Sequence, residues 1–206
     1  VSPRVAVFTF GTNLVFVLKE TGDIVDNCQK RPQRLFDERE LSVDECADYL
    51  QQAVDLLKDA RQKSGQSGED LKVVITVSPI RYAKYGFHGS QLSKATLLLA
   101  ADRLVRQNPG IVSYFPAYEL MNDELRDYRF YEEDMLHPSS QAVEFIWQRF
   151  RAAYFGRAAE QFLEDWRPIR EAHGHKPFHP DSEAHQRFLA KTEEMERKFN
   201  EKYFNS

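Results

Sequence analysis

Asp134 and His137 stand three positions apart in Asp134-Met135-Leu136-His137-Pro138-Ser139, between an acidic, aromatic run, Tyr128 to Glu133, and an apolar-periodic run, Ala142 to Phe155. A carboxylate three residues before an imidazole can turn back to accept from Nδ1–H, which fixes the tautomer and leaves Nε2 free to act as a base. Those are the orienter and the base of a hydrolytic triad. Pro138 marks where the next helix should begin, because its missing N–H is one that the first turn leaves unpaired. The pair is therefore expected on the loop that feeds this helix. A helix cap or a solvated carboxylate is the other role open to Asp134, since one Asp-x-x-His spacing in a chain with six histidines is a short motif.

The elements that must position this pair alternate in type. Val5 to Phe10 is a nearly continuous apolar run stopped by Gly11-Thr12-Asn13, the pattern of a central strand covered on both faces. Leu14 to Leu18, a turn at Glu20 to Asp23 and Ile24-Val25 predict a hairpin excursion, and Asn27 to Pro32 runs as loop. Ser42-Val43-Asp44-Glu45 is a capping box that opens an amphipathic helix ending near Lys63. Leu71 to Val77 is the clearest strand, closed by Ser78-Pro79, because proline cannot donate to a ladder. Arg81 to Gly89 is a polar and aromatic loop. Gln91 to Val105 is predicted as a helix offering Leu92, Ala95, Thr96, Leu99 and Leu104 for burial, and Ile111 to Phe115 as the next strand.

Strand and helix in alternation predict a mostly parallel sheet with helices on both faces. In such sheets functional groups gather beyond the carboxyl ends of the strands. That edge would collect Gly11, Thr12 and Asn13, then Ser78 and the His88 loop, then Tyr118 and Glu119, together with the Asp134–His137 loop. His88, flanked by Gly86 and Gly89, is a second titratable group able to reach over a site. Arg81, Lys84 and Lys94 could hold an anionic substrate group, with solvated surface charge as the plainer alternative. Ser78 and Ser93 are not in a nucleophile-elbow context.

Residues 1–155 form the expected α/β domain, and 156–206 a helical extension with two polar helices, Ala158 to Glu171 and Asp181 to Tyr203. That extension is expected to cap the sheet or to serve as an oligomer contact. Between its helices, His173, His175 and His179 sit in a Gly- and Pro-broken stretch that reads as a connector rather than a metal site. No metal or cofactor is implied. The 28 basic and 32 acidic residues give a net charge of −4, so nothing in the balance asks for nucleic acid. No apolar run approaches the roughly 18 residues of a membrane span. Cys28 and Cys46, the only two cysteines, fit reduced thiols and make no disulfide framework. The compartment is left open, with the cytoplasm favoured.

Several stretches resemble the GSCFA family, a branch of the SGNH-type esterase and lipase superfamily. They are Phe10-Gly11-Thr12, Lys19 to Gly22, Asn27 to Lys30, Thr76 to Pro79, His88 to Lys94, Ser113 to Pro116, Tyr118-Glu119, Asp123 to Tyr131 and Asp134 to Ser139. In this order they cover roughly Val5 to Phe155. The resemblance implies a flavodoxin-like three-layer α/β/α fold and hydrolysis or transfer of an acyl group by a serine, with a small-molecule or carbohydrate ester as substrate. It assigns orienter and base to Asp134 and His137. It further implies an oxyanion hole built from Gly11 N–H and an Asn amide, for which Asn13 and Asn27 are rivals. The serine-bearing Gly-Ser-Cys-Phe-Ala string of the family does not occur in this chain. The chain, starting at Val1 without Met or a signal-peptide pattern, is accordingly expected to be the C-terminal portion of a longer protein. The alternative is a non-catalytic binding module that keeps the fold.

Overall fold

Six strands and six helices follow one another in the described residues, 3–25, 28–177 and 181–204, of this computed structural model. In chain order they are β1 (Val5–Phe10), β2 (Leu14–Leu18), β3 (Ile24–Val25), β4 (Phe36–Glu40), α1 (Val43–Lys63), β5 (Lys72–Val77), α2 (Gly86–Gln107), β6 (Val112–Phe115), α3 (Ala117–Glu119), α4 (Ser140–Tyr154), α5 (Arg157–Gly174) and α6 (Glu183–Tyr203). They divide into two units, Val1–Ile146 and Trp147–Ser206.

In the first unit, β1, β5 and β6 form a parallel sheet in the order β1-β5-β6, with Phe8 opposite Ile75 and Ile75 opposite Tyr114. Parallel neighbours need long crossovers. Helix α1 lies on the first and α2 on the second. β5 is covered on both faces: Val73, Ile75 and Val77 on one, Val74 and Thr76 on the other. β1 departs from its sequence pattern. It is an edge strand, with Phe8 and Phe10 packed against the core while Val5 and Val7 are 57% and 51% exposed. Hydrophobicity without alternation does not say how many neighbours a strand has.

The hairpin excursion is a three-stranded antiparallel sheet in the order β3-β2-β4. Its third strand, Phe36-Asp37-Glu38-Arg39-Glu40, has no strand pattern of its own, four of its five side chains being charged and exposed. Its ladder to β2 makes it a strand.

Helix α1 starts where the capping box places it: Ser42 Oγ accepts from Glu45 N–H, and Ser42 N–H donates to Glu45 Oε2. Helix α2 begins at Gly86, five residues ahead of the predicted Gln91, after a 3₁₀ turn at Ala83–Tyr85 that ends at Gly86 with φ +70°. Its buried stripe also differs from the predicted one. Ser90, Ser93, Lys94, Leu97, Ala101 and Leu104 face inward, whereas Leu92 and Leu99 are exposed. Two apolar stripes run along this helix, and the one holding Lys94 was buried against α1 and the sheet. Helix α4 starts at Ser140 rather than Pro138, because Pro138 is taken into a bridge with Tyr131 and Ser139 supplies the cap, its Oγ and carbonyl accepting from Ala142 and Val143 N–H.

In the second unit α5 and α6 pair through Phe162, Ile169, Trp166 and Phe199, with the Phe162 and Phe199 rings 4.9 Å apart. Asp165 accepts from Lys202 Nζ at 2.6 Å and Tyr203 O–H at 2.7 Å, which hold its carboxyl down at about 2.

The face assignment of α2 is checked by one pair of substitutions. Leu97→Ala, at a side chain 5% exposed, should cost about 2–5 kcal/mol. Leu99→Ala, 58% exposed, should stay within about 0.5 kcal/mol, both read from urea unfolding midpoints.

Candidate active site

The loop between the 3₁₀ turn Tyr128–Phe130 and α4 is folded around one carboxylate. Asp134 Oδ1 accepts from the N–H groups of Leu136 at 2.8 Å and His137 at 3.0 Å. Its Oδ2 lies 2.5 Å from His137 Nδ1. With the carboxylate ionised, Nδ1–H donates and Nε2 carries the free lone pair. Met135, between them, takes φ +61°, the left-handed turn that brings the chain back over the carboxylate. Further bonds close the loop on itself, Glu132 N–H to His137 O at 2.8 Å and Ser139 N–H to Phe130 O at 2.7 Å. The three hydrogen bonds, the His137 backbone N–H first, hold the Asp134 carboxyl at about 2. It is ionised throughout the range in which an imidazole works. Both side chains face solvent, with His137 56% exposed.

A second cluster forms after β1. Asn13 is buried, its Nδ2 donating to Leu41 O at 2.7 Å and its backbone N–H to Ser93 Oγ at 2.9 Å. Thr12 Oγ1 is hydrogen-bonded to the same Ser93 hydroxyl at 3.0 Å. Gly11 is glycine because of a close approach: a Cβ there would stand 2.1 Å from the Tyr82 hydroxyl oxygen. Its carbonyl accepts from Lys94 Nζ at 2.5 Å. Lys94 is 2% exposed and has no carboxylate partner among the described residues; its ammonium lies 5.2 Å from the Tyr82 ring centre. Burial pulls its pKa down to about 8.

The two clusters meet through the loop after β5. Arg81 N–H donates to Leu136 O at 3.1 Å and Arg81 Nη1 to Met135 O at 3.4 Å, while the next residue, Tyr82, packs on Gly11. No hydrogen bond among the described residues joins His137 directly to Gly11 or Asn13. His88 is the third residue of α2 rather than a loop residue, and is exposed. Lys84 pairs with Glu38 at the surface. Asn27 and His179 lie outside the described residues. His173 Nε2 bonds Glu196, and no group of three or more His, Cys, Asp or Glu that could hold a metal occurs among the described residues. No helix there is long and apolar enough to cross a membrane.

Lys94, read as a possible contact for an anionic substrate group, is instead buried with its ammonium given to the Gly11 carbonyl, and Tyr82 carried no signal of its own. Lys94 was legible by position, because it lies on the stripe with Ser90, Leu97, Ala101 and Leu104. Arg126, Asn122 and Tyr131, which line a pocket beside the His137 loop, carry no spacing signal.

Comparison with known families gives two matches. The model of the GSCFA family covers residues 2–150, and that of the GSCFA domain protein, C-terminal domain, covers 166–206. No curated protein and no solved structure matches the chain.

Lys94 makes stability depend on alkaline pH. An unfolded lysine keeps its proton to about 10.4, whereas folded Lys94 releases it near 8. Between those values the unfolded chain binds more protons, so stability rises with pH by a total on the order of 3 kcal/mol. Burial also pushes up the Cys46 thiol and the Tyr82, Tyr114 and Tyr118 hydroxyls, which act in the opposite sense, Cys46 above about pH 8.5 and the tyrosines above about 10. The expected result is a rise in urea midpoint from about pH 8 to 10 that Lys94→Met abolishes; an unchanged rise in that variant would place the titration elsewhere.

Proposed function

The chain belongs to the GSCFA family, and from that premise we propose that it carries the orienter and base of a serine-dependent acyl-ester hydrolase or acyltransferase of the SGNH type. The observation that supports this most is the Asp134–His137 pair, with the carboxylate fixed by two backbone N–H groups and aimed at Nδ1. An ionised carboxylate there serves only to orient the ring and to stabilise its cationic form.

In the proposed cycle His137 Nε2 takes the proton of the serine hydroxyl as its oxygen bonds to the ester carbonyl carbon. The imidazolium returns that proton to the departing alcohol. Water, or an acceptor alcohol in a transferase, then attacks the acyl-enzyme carbonyl with His137 again as base; the serine–acyl bond breaks and the imidazolium returns the proton to the serine oxygen. The developing oxyanion is assigned to Gly11 N–H and an Asn amide, a donor typically contributing about 3 kcal/mol. One of the Asn13 amide protons is already given to Leu41 O, so Asn13 has its second to offer and Asn27 is its rival.

Neither in-chain serine of the rim suits the nucleophile role. Ser78 Oγ accepts from Ile80 N–H, and Ser93 is buried between Thr12 and Asn13. The reading therefore takes the serine from the family's Gly-Ser-Cys-Phe-Ala segment, outside these residues. It includes a three-layer, flavodoxin-like arrangement over residues 1–155, supported by the parallel order β1-β5-β6 and the coverage of β5 on both faces, with 156–206 as an extension. The substrate in this reading is an ester, carbohydrate esters included.

The complete protein should hydrolyse p-nitrophenyl acetate, and His137→Ala should lower kcat/KM by roughly 10³–10⁴-fold. Asp134→Asn should lower kcat by roughly 10²–10⁴-fold with KM little changed, because it offers the ring the wrong partner. Asp134 stays ionised to about 2, so its own protonation should not appear in the acid limb of the rate profile. Unchanged hydrolysis in His137→Ala would remove that residue from the chemistry. A folded complete protein without hydrolysis, and without labelling by a serine-directed phosphonate, would leave the binding module.

A further inference from the structure

Beside the Asp134–His137 loop lies a pocket of ≈ 230 Å³, walled by Arg81, Asn122, Arg126, Asp127, Tyr128 and Tyr131 over the buried side chain of Met121. Its far wall is the π-helical turn Leu120–Glu124 and the residues after it; its near wall belongs to the His137 loop itself. Tyr131 is bridged to Pro138, the residue after His137, and Arg81 is bonded to the carbonyls of Met135 and Leu136. The pocket wall and the His137 loop are thus joined by backbone contacts.

Arg81 is immobilised there. Its guanidinium lies 4.0 Å from the Tyr131 ring centre, 5.7 Å from that of Tyr128 and 5.8 Å from that of Phe87. Stacking on ring faces holds a guanidinium by its plane, and apart from the Nη1–H given to Met135 O its edge donors face outward for a ligand. Neither Arg81 nor Arg126 has an ion-pair partner among the described residues. Acidic groups are not scarce around the pocket, but they are committed: Asp127 Oδ1 accepts from Arg129 N–H, Glu132 Oε1 from Ser140 N–H, and Asp134 from its own loop. Arg126 is moreover kept at φ +28°, a backbone state that side chains other than glycine rarely hold. Two arginines against one aspartate leave the lining with a net positive charge.

We propose that this pocket is the subsite for an oxyanion group, a carboxylate or a phosphate, carried by the substrate, with Arg81 and Arg126 as its two cationic contacts. The term substrate rests on the ester-cleaving reading of His137; the binding of the anion does not. Its volume decides the scale. Pockets that take whole small ligands run to roughly 300–1,000 Å³, so ≈ 230 Å³ accommodates one substituent of a larger molecule. A guanidinium edge matches carboxylate and phosphate oxygens with two parallel N–H bonds, which a neutral hydroxyl cannot reproduce.

Binding to the full chain would be followed by NMR titration with three probes, D-glucuronate, glucose 6-phosphate and D-glucose. At least one of the anionic probes should bind about tenfold or more tightly than glucose, the loss expected for a missing charge-assisted hydrogen bond, and its affinity should fall as salt rises from about 0.05 to 0.5 M. Which of the two binds separates carboxylate from phosphate. Arg81→Met, which keeps a side chain over Tyr131, and Arg126→Gln, at an exposed position, should each weaken that anion by about tenfold. His137→Ala should leave it unchanged. Anion binding no better than glucose binding, or binding indifferent to both arginine substitutions, would overturn the proposal. Anion binding that needs both arginines, in a complete protein with no esterase activity, would retain the subsite and remove the catalytic reading.

Discussion

Asp134 accepts three hydrogen bonds, from the backbone N–H groups of Leu136 and His137 and from the ring N–H of His137, and the whole Phe130 to Ser139 loop takes its shape from them. Between these N–H groups and the carboxylate the chain turns back at Met135, which sits in the left-handed region, at a cost of about 1–2 kcal/mol for a residue with a side chain. The same reversal carries the imidazole back over the other carboxylate oxygen. Backbone geometry and ring orientation are thus one constraint, and moving either moves both. The bridge between Tyr131 and Pro138 anchors the loop from outside and shifts the start of α4 to Ser140.

The other end of the candidate site is built around a charge in the interior. Lys94 Nζ donates to the Gly11 carbonyl from a position closed to solvent, and an ammonium so placed loses its hydration without gaining a carboxylate. Such an arrangement persists when it fixes something. Here it fixes the loop leaving β1: Lys94 holds the Gly11 carbonyl, Ser93 holds the Asn13 N–H, and the Tyr82 hydroxyl occupies the space a Gly11 side chain would need. Three contacts from α2 and from the loop before it set the direction of the Gly11 and Thr12 peptides.

Much of this was written in the chain. The α1 boundary follows from Ser42 and Glu45 alone, since a reciprocal cap is a local interaction, and the β5 strand follows from five consecutive apolar or β-branched residues after Lys72. The Asp134–His137 contact was likewise readable, being confined to four residues. What could not be read depends on partners distant in sequence. β4 is a strand only because β2 offers it a ladder, and β1 is an edge strand only because nothing among the described residues pairs with its far side. The buried face of α2 was misassigned because Leu92 and Leu99 look more hydrophobic than Lys94 and Ser93. The burial of a lysine is decided by the carbonyl waiting for it, 83 residues away.

Arg81 shows how these separate constraints become one site. Its backbone N–H is spent on the Leu136 carbonyl, its side chain is spread over Tyr131, and its neighbour Tyr82 is seated against Gly11. One dipeptide therefore touches the His137 loop, the Gly11 loop and the wall of the adjoining pocket. Because the loop after β5 is tied at its start by Ser78 N–H to Phe10 O and near its end by Tyr82 N–H to Ser90 Oγ, those three parts are referred to the rigid sheet edge rather than to each other. The surface loop bearing the imidazole is in this way held in register with a half-buried glycine without any direct bond between them. The exposure of His137 is compatible with that precision, since the position of an exposed side chain is as well defined as the backbone contacts behind it.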